Sequence, residues 1–401
     1  MRIVKINNQI EAIEILKKIG VDPYGVTSMA PKTRQVNILL TGRQCKVANI
    51  LKQEMLSLGA DAAVARGSVS CSIEGTDVLL MGTLKQLLAL PERLKKQPFG
   101  LRALARELEI LLANIELRHR VFRTAKREIS LGDKTLIMGV LNVTPDSFSD
   151  GNLYFDTQKA IERALQMEEE GADIIDIGAE SSRPGAMPLG VQEEMDRLMP
   201  VLEGLRGKLA VALSVDTTKA RVAGAAIAAG VEIVNDISAL HNDEEMAKVV
   251  SETGAGLVLM HMRGTPKTMQ TGDLAYKDLI GEIIDYLKKS YEKACAAGIE
   301  KERIAIDPGI GFGKTFDDNC RVINKLGEFK TLGLPLLIGT SRKAFIGSIT
   351  GSAPWERLEG TAATVAASIF GGCDIVRVHD VAAMKKVTTM TDAIVRARDK
   401  T

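Results

Sequence analysis

Residues 210–238, AVALSVDTTKARVAGAAIAAGVEIVNDIS, carry the pattern that decides the fold. A short apolar run, Val211–Val215, ends at Asp216, and a helix-forming stretch separates it from a second run, Ile233–Val234, that ends at Asn235. Short apolar runs alternating with helical stretches are typical of strands buried in a parallel sheet. The stretch therefore predicts a strand, a crossover helix and a second parallel strand.

The same unit occurs eight times after residue 130. Eight units in about 270 residues match a (β/α)8 TIM barrel, whereas a doubly wound sheet more often has about five or six strands. We therefore predict an α/β barrel over residues 126–401, preceded by a small N-terminal α/β domain over residues 1–125. The predicted strands are Leu136–Leu141, Ile174–Ile177, Val211–Val215, Ile233–Val234, Gly256–Met260, Ile304–Ile306, Leu336–Ile338 and Ile375–Val376.

Polar residues follow every predicted strand, where the carboxyl ends of barrel strands form the mouth of the barrel and its active site. Helix capping explains residues such as Asp236 or Ser341, but it has no use for Lys343, Arg377 and His379. The residues concerned are Asn142, Asp176, Glu180, Arg183, Asp216, Asn235, Asp236, His261, Arg263, Asp307, Ser341, Arg342, Lys343, Arg377, His379 and Asp380.

Three kinds of chemistry are available at this mouth. Asp216, Asn235 and Asp307 offer hydrogen-bond acceptors to a flat heterocycle that carries N–H and NH2 groups, and Lys343 and Arg377 add donors. A second cluster, Asn142, Arg377 and His379, suits a phosphate or pyrophosphate. Asn142 and Asp146 offer oxygen ligands to Mg2+. Each of these residues, considered alone, could equally well have a structural role, such as that of a hydrogen-bonded histidine or an ion-paired arginine. Their shared location at the barrel mouth is what favours a binding site.

Composition narrows the function further. The net charge of +1 excludes a strong electrostatic attraction of the whole molecule to nucleic acid or to an anionic membrane. Five scattered cysteines without a C-x-x-C pair, together with the lack of a long apolar run, favour a cytoplasmic protein that is neither secreted nor membrane-spanning.

The glycine-rich stretch Gly309–Thr315 resembles a phosphate-binding loop but lacks the first glycine of a Walker A motif, where Pro308 stands. It is predicted to be a flexible barrel loop.

The N-terminal domain differs from the barrel in charge. Residues 1–122 hold 18 Lys and Arg against 11 Asp and Glu, whereas the remainder holds 34 against 40. The basic stretch Leu117–Arg127 is interpreted as a helix end and linker, which places the boundary near residue 125. Strands are predicted at Arg2–Ile6, Val36–Leu40 and Asp77–Met81, and helices at Ile10–Ile19, Cys45–Ser57 and Thr83–Lys96. The pattern does not indicate the role of this domain; one hypothesis is that it braces the barrel or assists oligomer formation.

Eight motifs occur in order along the barrel: NVTPDSFSDG (142–151), DIGAESSRPGA (176–186), SVDTTK (214–219), NDIS (235–238), LMHMRGTPKTMQ (259–270), DPGIGFGK (307–314), GTSRK (339–343) and RVHD (377–380). Together they resemble the motifs of the dihydropteroate synthase family, the folate-pathway enzymes that sulfonamides target. The resemblance implies a transferase that condenses 6-hydroxymethyl-7,8-dihydropterin diphosphate with p-aminobenzoate, in the presence of Mg2+, to give 7,8-dihydropteroate and pyrophosphate. It also implies an SN1-like reaction, two mobile loops around residues 144–151 and 181–185, and a homodimer.

The same resemblance assigns roles to individual residues. Asp176, Asp216, Asn235, Met260, Asp307, Lys343 and Arg377 are implied to bind the pterin, and Asn142, Arg377 and His379 the diphosphate. Phe148, Ser182, Arg183, Pro184, Phe312 and Ser341 are implied to shape the p-aminobenzoate site, and Asn142 and Asp146 to hold the metal. The implied catalytic residues are Arg183, Lys343, Arg377 and His379.

Two departures and two alternatives accompany this resemblance. Ser182 stands where the family commonly has Thr, and Ala344 stands where a hydroxyl residue is common, so one contact to the carboxylate of p-aminobenzoate is missing. The alternatives are a barrel similar to the methyltetrahydrofolate–corrinoid methyltransferases, which have no use for a diphosphate cluster, and a non-catalytic pterin sensor. The first 125 residues lie outside the resemblance.

Overall fold

The computed structural model describes residues 1–6, 8–143, 153–180, 188–265, 267–269 and 274–397, with the backbone alone at residues 153–156. These residues form two compact units, Met1–Glu116 and Leu117–Ala397. The division falls at Glu116 and Leu117, nine residues before the boundary predicted near residue 125. The reason is that residues 117–125 include a strand that belongs to the second unit.

The N-terminal unit is an α/β fold built on a three-stranded antiparallel sheet, in which β3 (Gly75–Thr83) lies between β1 (Gln35–Gln44) and β2 (Asp61–Val64). Alternation in β1 directs Ile38 and Leu40 into the core, while Leu39 is 55% exposed on the other face. Residues 2–6 form no strand, which contradicts the prediction for Arg2–Ile6, and Ile3 is fully exposed with no core to pack against. The elements are α1 (Gln9–Ile19), α2 (Pro23–Met29), β1 (Gln35–Gln44), α3 (Cys45–Ser57), β2 (Asp61–Val64), β3 (Gly75–Thr83), α4 (Leu84–Leu94) and α5 (Leu101–Glu116).

The second unit is the predicted (β/α)8 barrel. All eight predicted strands are confirmed. They are β6 (Leu136–Asn142), β7 (Ile174–Gly178), β8 (Ala212–Asp216), β9 (Ile233–Asp236), β10 (Gly256–Met260), β11 (Ile304–Asp307), β12 (Leu337–Ile338) and β13 (Ile375–Val378). These parallel strands run in the order β11-β10-β9-β8-β7-β6-β13-β12, and a parallel bridge between Ile306 and Leu336 closes the ring.

Helices follow the strands and cover the barrel's outer face, where they bury the outward-facing side chains of the strands. They are α6 (Leu153–Glu169), α7 (Val191–Leu205), α8 (Ala220–Ala229), α9 (Met246–Thr253), α10 (Leu279–Ala296), α11 (Phe316–Asn324), α12 (Ala344–Thr350), α13 (Leu358–Gly371) and α14 (Val381–Val395). Among the helices that the structure describes, none is long and apolar enough to cross a membrane.

A β-hairpin plugs the end of the barrel opposite the mouth. It consists of β4 (Arg120–Arg123) and β5 (Glu128–Leu131), and its fully buried Phe122 packs with the lowest apolar layer of the barrel interior. Two of its basic residues form ion pairs with barrel acids, Arg120 with Asp374 at 3.2 Å and Arg127 with Glu232 at 2.7 Å. The interpretation of this basic stretch as a linker is therefore wrong: its charges serve the barrel itself.

Candidate active site

The period of two in each strand explains why polar groups converge on one end of the barrel. Inward positions of β7 are Ile174 and then Asp176, and those of β13 are Ile375 and then Arg377. An apolar side chain is thus followed, two residues nearer the mouth, by a polar one. The inward positions nearest the mouth on these and the neighbouring strands include Asp176, Ser214, Asp216, Asn235, Met260, Asp307 and Arg377. The barrel interior is consequently apolar at the plugged end and polar at the mouth.

Arg377 lies between two carboxylates of this layer. Its Nε donates to Oδ2 of Asp176 and its Nη2 to Oδ2 of Asp216, each at 2.7 Å. Asp176 is fully buried and also accepts from Nδ2 of Asn235 at 2.9 Å. The structure therefore places four of the predicted pterin-binding residues in one hydrogen-bonded group.

Burial shifts the proton affinities of this group. Burial raises the pKa of Asp216 to about 7. The positive charge of Arg377 lowers this pKa in part, and the negative charge of Asp176 raises it further. Although burial opposes the charge of Arg377, Asp176 and Asp216 raise its pKa above the ordinary value. The guanidinium is thus a permanent cation, whereas Asp216 titrates near neutral pH.

Lys343 extends the site toward the sixth strand. Its ammonium donates to the carbonyl oxygen of Ile310 and lies 4.1 Å from the centre of the Phe312 ring, a cation–π contact. Burial lowers the pKa of Lys343 to about 8 despite the attraction of Asp307. Asp307 ends β11 and accepts the Gly309 N–H at 2.7 Å. Lys343, Asp307 and Phe312, which the sequence predicts to bind two different substrates, are therefore near neighbours.

The predicted diphosphate residues lie at the ends of β6 and β13. His379 follows β13, and its Nδ1 is 3.0 Å from Oγ of Ser341. Burial, followed by the charges of Arg377 and Arg342, lowers the pKa of His379 to about 4, so the imidazole is neutral at physiological pH. Asn142 is exposed at the mouth end of β6. Of Asn142, Arg377 and His379, only Arg377 therefore carries a positive charge at physiological pH.

The loop Gly309–Gly313 is held firmly, contrary to the expectation of a flexible loop. Its three glycines have φ angles of +69°, +83° and +63°. A Cβ atom on Gly309 would lie 1.9 Å from the carbonyl oxygen of His261, and one on Gly313 would lie 2.6 Å from that of Arg263. The glycines thus permit a left-handed, closely packed conformation rather than mobility.

Several predicted site residues lie outside the part of the chain that the structure describes: Asp146, Phe148, Ser182, Arg183 and Pro184. Within the described ranges, no group of three or more His, Cys, Asp or Glu residues could hold a metal ion. Sequence reasoning missed Lys314, a lysine that is 1% exposed. The available signal was a basic residue that directly follows a run of glycines and apolar residues.

Comparison with known proteins agrees with this geometry. The family described as pterin binding enzyme matches residues 138–379. Dihydropteroate synthase of Bacillus subtilis is 47% identical over 275 residues, which cover 69% of this chain and 94% of the relative. The chain belongs to the dihydropteroate synthase family. A structure of this enzyme from Clostridium difficile, solved in the presence of pteroic acid, matches with a TM-score of 0.63 and 45% identity, over 67% of this chain and 99% of that one.

Membership of the dihydropteroate synthase family confirms the predicted function. The chain is a transferase of folate biosynthesis, and the methyltransferase and sensor alternatives give way to this assignment.

A longer relative also matches much of the N-terminal unit. A probable bifunctional folylpolyglutamate synthase/dihydropteroate synthase of Halobacterium salinarum is 39% identical over 371 residues, which cover 92% of this chain but only 44% of that protein. Because residues 117–401 make up 285 positions, a match of 92% of 401 residues must include more than 80 residues of the N-terminal unit. Most of the N-terminal unit is therefore matched, together with the barrel, in this relative.

Proposed function

We propose that the barrel mouth condenses 6-hydroxymethyl-7,8-dihydropterin diphosphate with p-aminobenzoate to form 7,8-dihydropteroate and pyrophosphate. The observation that carries this proposal is the polar layer in which Arg377 bridges Asp176 and Asp216, with Asn235 bonded to Asp176. Such a layer offers a pterin both acceptors for its N–H groups and a planar cation. The pterin-binding residues are Asp176, Asp216, Asn235, Met260, Asp307, Lys343 and Arg377.

The acceptor edge has capacity for a ligand. Within the described part of the chain, Arg377 bonds to Oδ2 of Asp216, and Oδ1 receives no hydrogen bond. The buried Asp176 Oδ1 and Ser214 Oγ likewise have no partner there. Buried polar atoms are normally satisfied, so these atoms indicate room for donors from a ligand or from water. A pterin carries adjacent N–H and NH2 donors that suit such acceptors.

Departure of pyrophosphate is the step that the second cluster supports. Arg377 and Asn142 would donate to the phosphate oxygens, and His379, held by Ser341, would add a neutral donor. The reaction is SN1-like: the bond from the pterin methylene carbon to oxygen breaks first, and the amine nitrogen of p-aminobenzoate then attacks that carbon and loses a proton. An aniline needs no strong general base, so catalysis rests on orientation and on stabilisation of the leaving group.

The p-aminobenzoate site is proposed beside the Phe312 ring and Lys343, with Ser341 and the residues Phe148, Ser182, Arg183 and Pro184 completing it. Sulfonamides are proposed to occupy this same site. Arg183, Lys343, Arg377 and His379 are proposed as the catalytic residues. Closure of the loops around residues 144–151 and 181–185 would keep water from the cationic pterin.

Mg2+ is proposed as the cofactor of this site. In proteins this ion prefers oxygen ligands. The exposed amide oxygen of Asn142, at the end of β6, fits this preference. Asn142 and Asp146 would hold the ion together with oxygens of the diphosphate. The ion would neutralise charge on the leaving pyrophosphate.

Pyrophosphate release tests the proposed function. The purified protein is incubated with the dihydropterin diphosphate, p-aminobenzoate and Mg2+, and each component is omitted in turn. We expect pyrophosphate and dihydropteroate to form in equal amounts, and only when both substrates are present. Pterin binding without any release would instead favour a pterin sensor.

Replacement of Asp216 by alanine is expected to weaken binding of the dihydropterin diphosphate by about 10-fold to 150-fold. This range corresponds to the roughly 1.5 to 3 kcal/mol of one charge-assisted hydrogen bond. Isothermal calorimetry measures the change. Wild-type affinity in the variant would contradict the placement of the pterin edge at Asp216.

The same carboxyl should make pterin affinity depend on pH. The pKa of Asp216 is raised to about 7, so its carboxylate gains a proton and loses an acceptor as the pH is lowered through that value. Affinity is therefore expected to fall on the acid side in the wild type. Asp216→Asn should remove this part of the pH dependence, and an identical pH profile in the two proteins would rule out Asp216 as its source.

Replacement of Ala344 by serine is expected to lower the KM for p-aminobenzoate. Ala344 is the exposed first residue of α12, directly after Lys343. A hydroxyl there could donate to the carboxylate of the substrate, a bond worth up to about 1.5 kcal/mol, or roughly tenfold, at an exposed position. Steady-state kinetics of the two proteins measures the change, and equal KM values would remove this explanation.

A homodimer formed through the last helices is proposed as the assembly. On α13, Ala363, Ala367 and Phe370 share an exposed apolar stripe, and Met390 of the neighbouring helix α14 is 62% exposed. A stripe of this kind is typical of an interaction surface. Sedimentation of the purified protein tests the stoichiometry.

A cytoplasmic location and a non-catalytic N-terminal domain are also proposed. All five cysteines are free, which suits a reducing compartment. No residue proposed for the chemistry falls within residues 1–116. The domain is therefore proposed to serve stability or assembly, and a truncation that begins at Leu117 tests this by activity, stability and oligomeric state.

A further inference from the structure

Lys314 is the centre of a hydrogen-bonded hub in the loop between β11 and α11. Its Nζ donates to Nδ1 of His261 at 2.8 Å, to the carbonyl oxygen of Gly309 at 2.9 Å and to that of Phe312 at 3.1 Å. Both Lys314 and His261 are almost completely buried. The three acceptors match the three N–H donors of an ammonium group.

Burial of the Lys314 side chain costs folding free energy, which suggests that its hydrogen bonds serve a function. Burial of an ammonium group costs several kcal/mol unless a counter-charge lies close by. Within the described ranges, no carboxylate lies at ion-pair distance from Lys314, and burial lowers its pKa to about 7 despite the through-space attraction of Asp307. An apolar side chain would fill the same space at lower cost, so the lysine is explained by what its three bonds hold in place.

The bonds of Lys314 fix the segment that carries Phe312. Two of them hold the carbonyl groups of Gly309 and Phe312, the first and fourth residues of the turn, and the third joins this turn to His261 on the preceding loop. The Phe312 ring in turn packs with Met260 and Met269 and faces the Lys343 ammonium. Any displacement of the turn therefore moves the Phe312 ring and alters its contact with Lys343, which also donates to Ile310 of the turn.

The backbone of Asp307, whose carboxylate is proposed to bind the pterin, is fixed without the Lys314 side chain, and the carboxylate meets the turn through one bond, from the Gly309 N–H at 2.7 Å. The Asp307 backbone pairs with Met260 across β10 and β11, and its carbonyl oxygen accepts the His261 N–H at 2.8 Å. These are bonds of the sheet and its immediate end, which do not involve the Lys314 side chain. Loss of the hub should thus disturb the Phe312 side of the mouth more than the pterin side.

We propose that Lys314 is a positioning residue, which with His261 as its partner fixes Phe312 for binding of the second substrate, the aromatic amine. This inference rests on the proposed function, because it assigns Phe312 to the p-aminobenzoate site. It has a specific consequence: loss of the Lys314 amine should weaken binding of p-aminobenzoate more than binding of the dihydropterin diphosphate.

The test compares Lys314→Met with the wild type and with Lys289→Met, the same change at an exposed position of α10. We expect Lys314→Met to raise the KM for p-aminobenzoate by about tenfold or more, because a misplacement of about 1 Å has effects of this size. The dissociation constant of the dihydropterin diphosphate, measured by calorimetry without p-aminobenzoate, should change by less than about threefold. Lys289→Met should match the wild type in both values.

Variants of His261 provide a second test if Lys314→Met does not fold. His261→Asn keeps an acceptor near the position of Nδ1, whereas His261→Leu removes it. We expect the leucine variant to raise the KM for p-aminobenzoate and the asparagine variant to restore most of the wild-type value. Equal KM values in the two variants would overturn the proposal.

Two other outcomes would also be decisive. A folded Lys314→Met protein with wild-type KM, or with equal losses for both substrates, would overturn the positioning role. A wild-type protein that releases no pyrophosphate at all would instead overturn the proposed function, and the two failures are therefore distinguishable.

Discussion

Replacement of Arg377 by methionine is expected to lower kcat/KM by roughly 30-fold to several thousand-fold, the largest loss of activity among these substitutions. Removal of one partner of a buried, hydrogen-bonded charge pair typically costs about 2 to 5 kcal/mol, and each 1.4 kcal/mol corresponds to about tenfold. Arg377 donates to both Asp176 and Asp216 at 2.7 Å and is also the proposed cation for the diphosphate. Its loss therefore affects the pterin edge and the leaving group together.

Steady-state pyrophosphate release measures this loss, and Arg221→Met is the matched control because Arg221 is exposed on α8. The control should retain wild-type kinetics. Arg377→Lys keeps the charge but cannot form two directed bonds with the planar geometry of a guanidinium, so it should recover only part of the activity. A kcat/KM above one tenth of the wild-type value in Arg377→Met would contradict the central role of this residue.

The same variant should also be less stable. Within the described part of the chain, Arg377 is the cation that lies at ion-pair distance from the fully buried Asp176, and an uncompensated buried charge typically costs about 3 to 5 kcal/mol of folding free energy. A double variant, Arg377→Met with Asp176→Asn, removes that charge and should recover part of the stability without recovering activity. Urea unfolding of the single and double variants separates the two effects.

The barrel was predictable because its signal repeats. Each strand is a short apolar run, and most inward positions near the mouth are occupied by a polar or charged residue, such as Asp176, Asp307 or Arg377, that is unsuited to an apolar interior. Periodicity therefore specified both the fold and the members of the polar layer. It could not specify their pairing, since the bonds from Arg377 to Asp176 and Asp216 join strands that are far apart in the chain.

The sequence did not predict features that depend on tertiary contacts. Lys314 follows a glycine-rich run that reads as a mobile loop, yet it is held by His261, 53 residues earlier. Residues 2–6 alternate like a strand, but a strand also needs a partner, and the first residues of the chain have none in the sheet. The basic stretch Leu117–Arg127 has the composition of a linker, because its acidic partners Glu232 and Asp374 lie far along the chain.

Replacement of Phe122 by alanine is expected to lower the free energy of unfolding by about 3 to 5 kcal/mol, the typical cost of removing a buried aromatic ring. Phe122 is fully buried and joins the interior layer formed by residues such as Ile174 and Val258. Its ring tip also approaches Gly256, where a Cβ atom would lie 3.0 Å away. A cavity at this place would leave the plugged end of the barrel without its central contact.

The position of Phe122, far from the barrel mouth, predicts that its replacement leaves activity almost unchanged. The polar layer that includes Arg377 occupies the other end of the same strands, so the folded fraction of Phe122→Ala should bind and turn over substrates with nearly wild-type KM and kcat. Urea unfolding followed by circular dichroism measures the stability, with Val121→Ala as control because Val121 faces solvent on the same strand. A loss below about 1 kcal/mol would mean that the hairpin does not brace the barrel. An altered KM in the fully folded variant would mean that packing at the plugged end reaches the mouth, because closely packed interiors transmit strain along the strands.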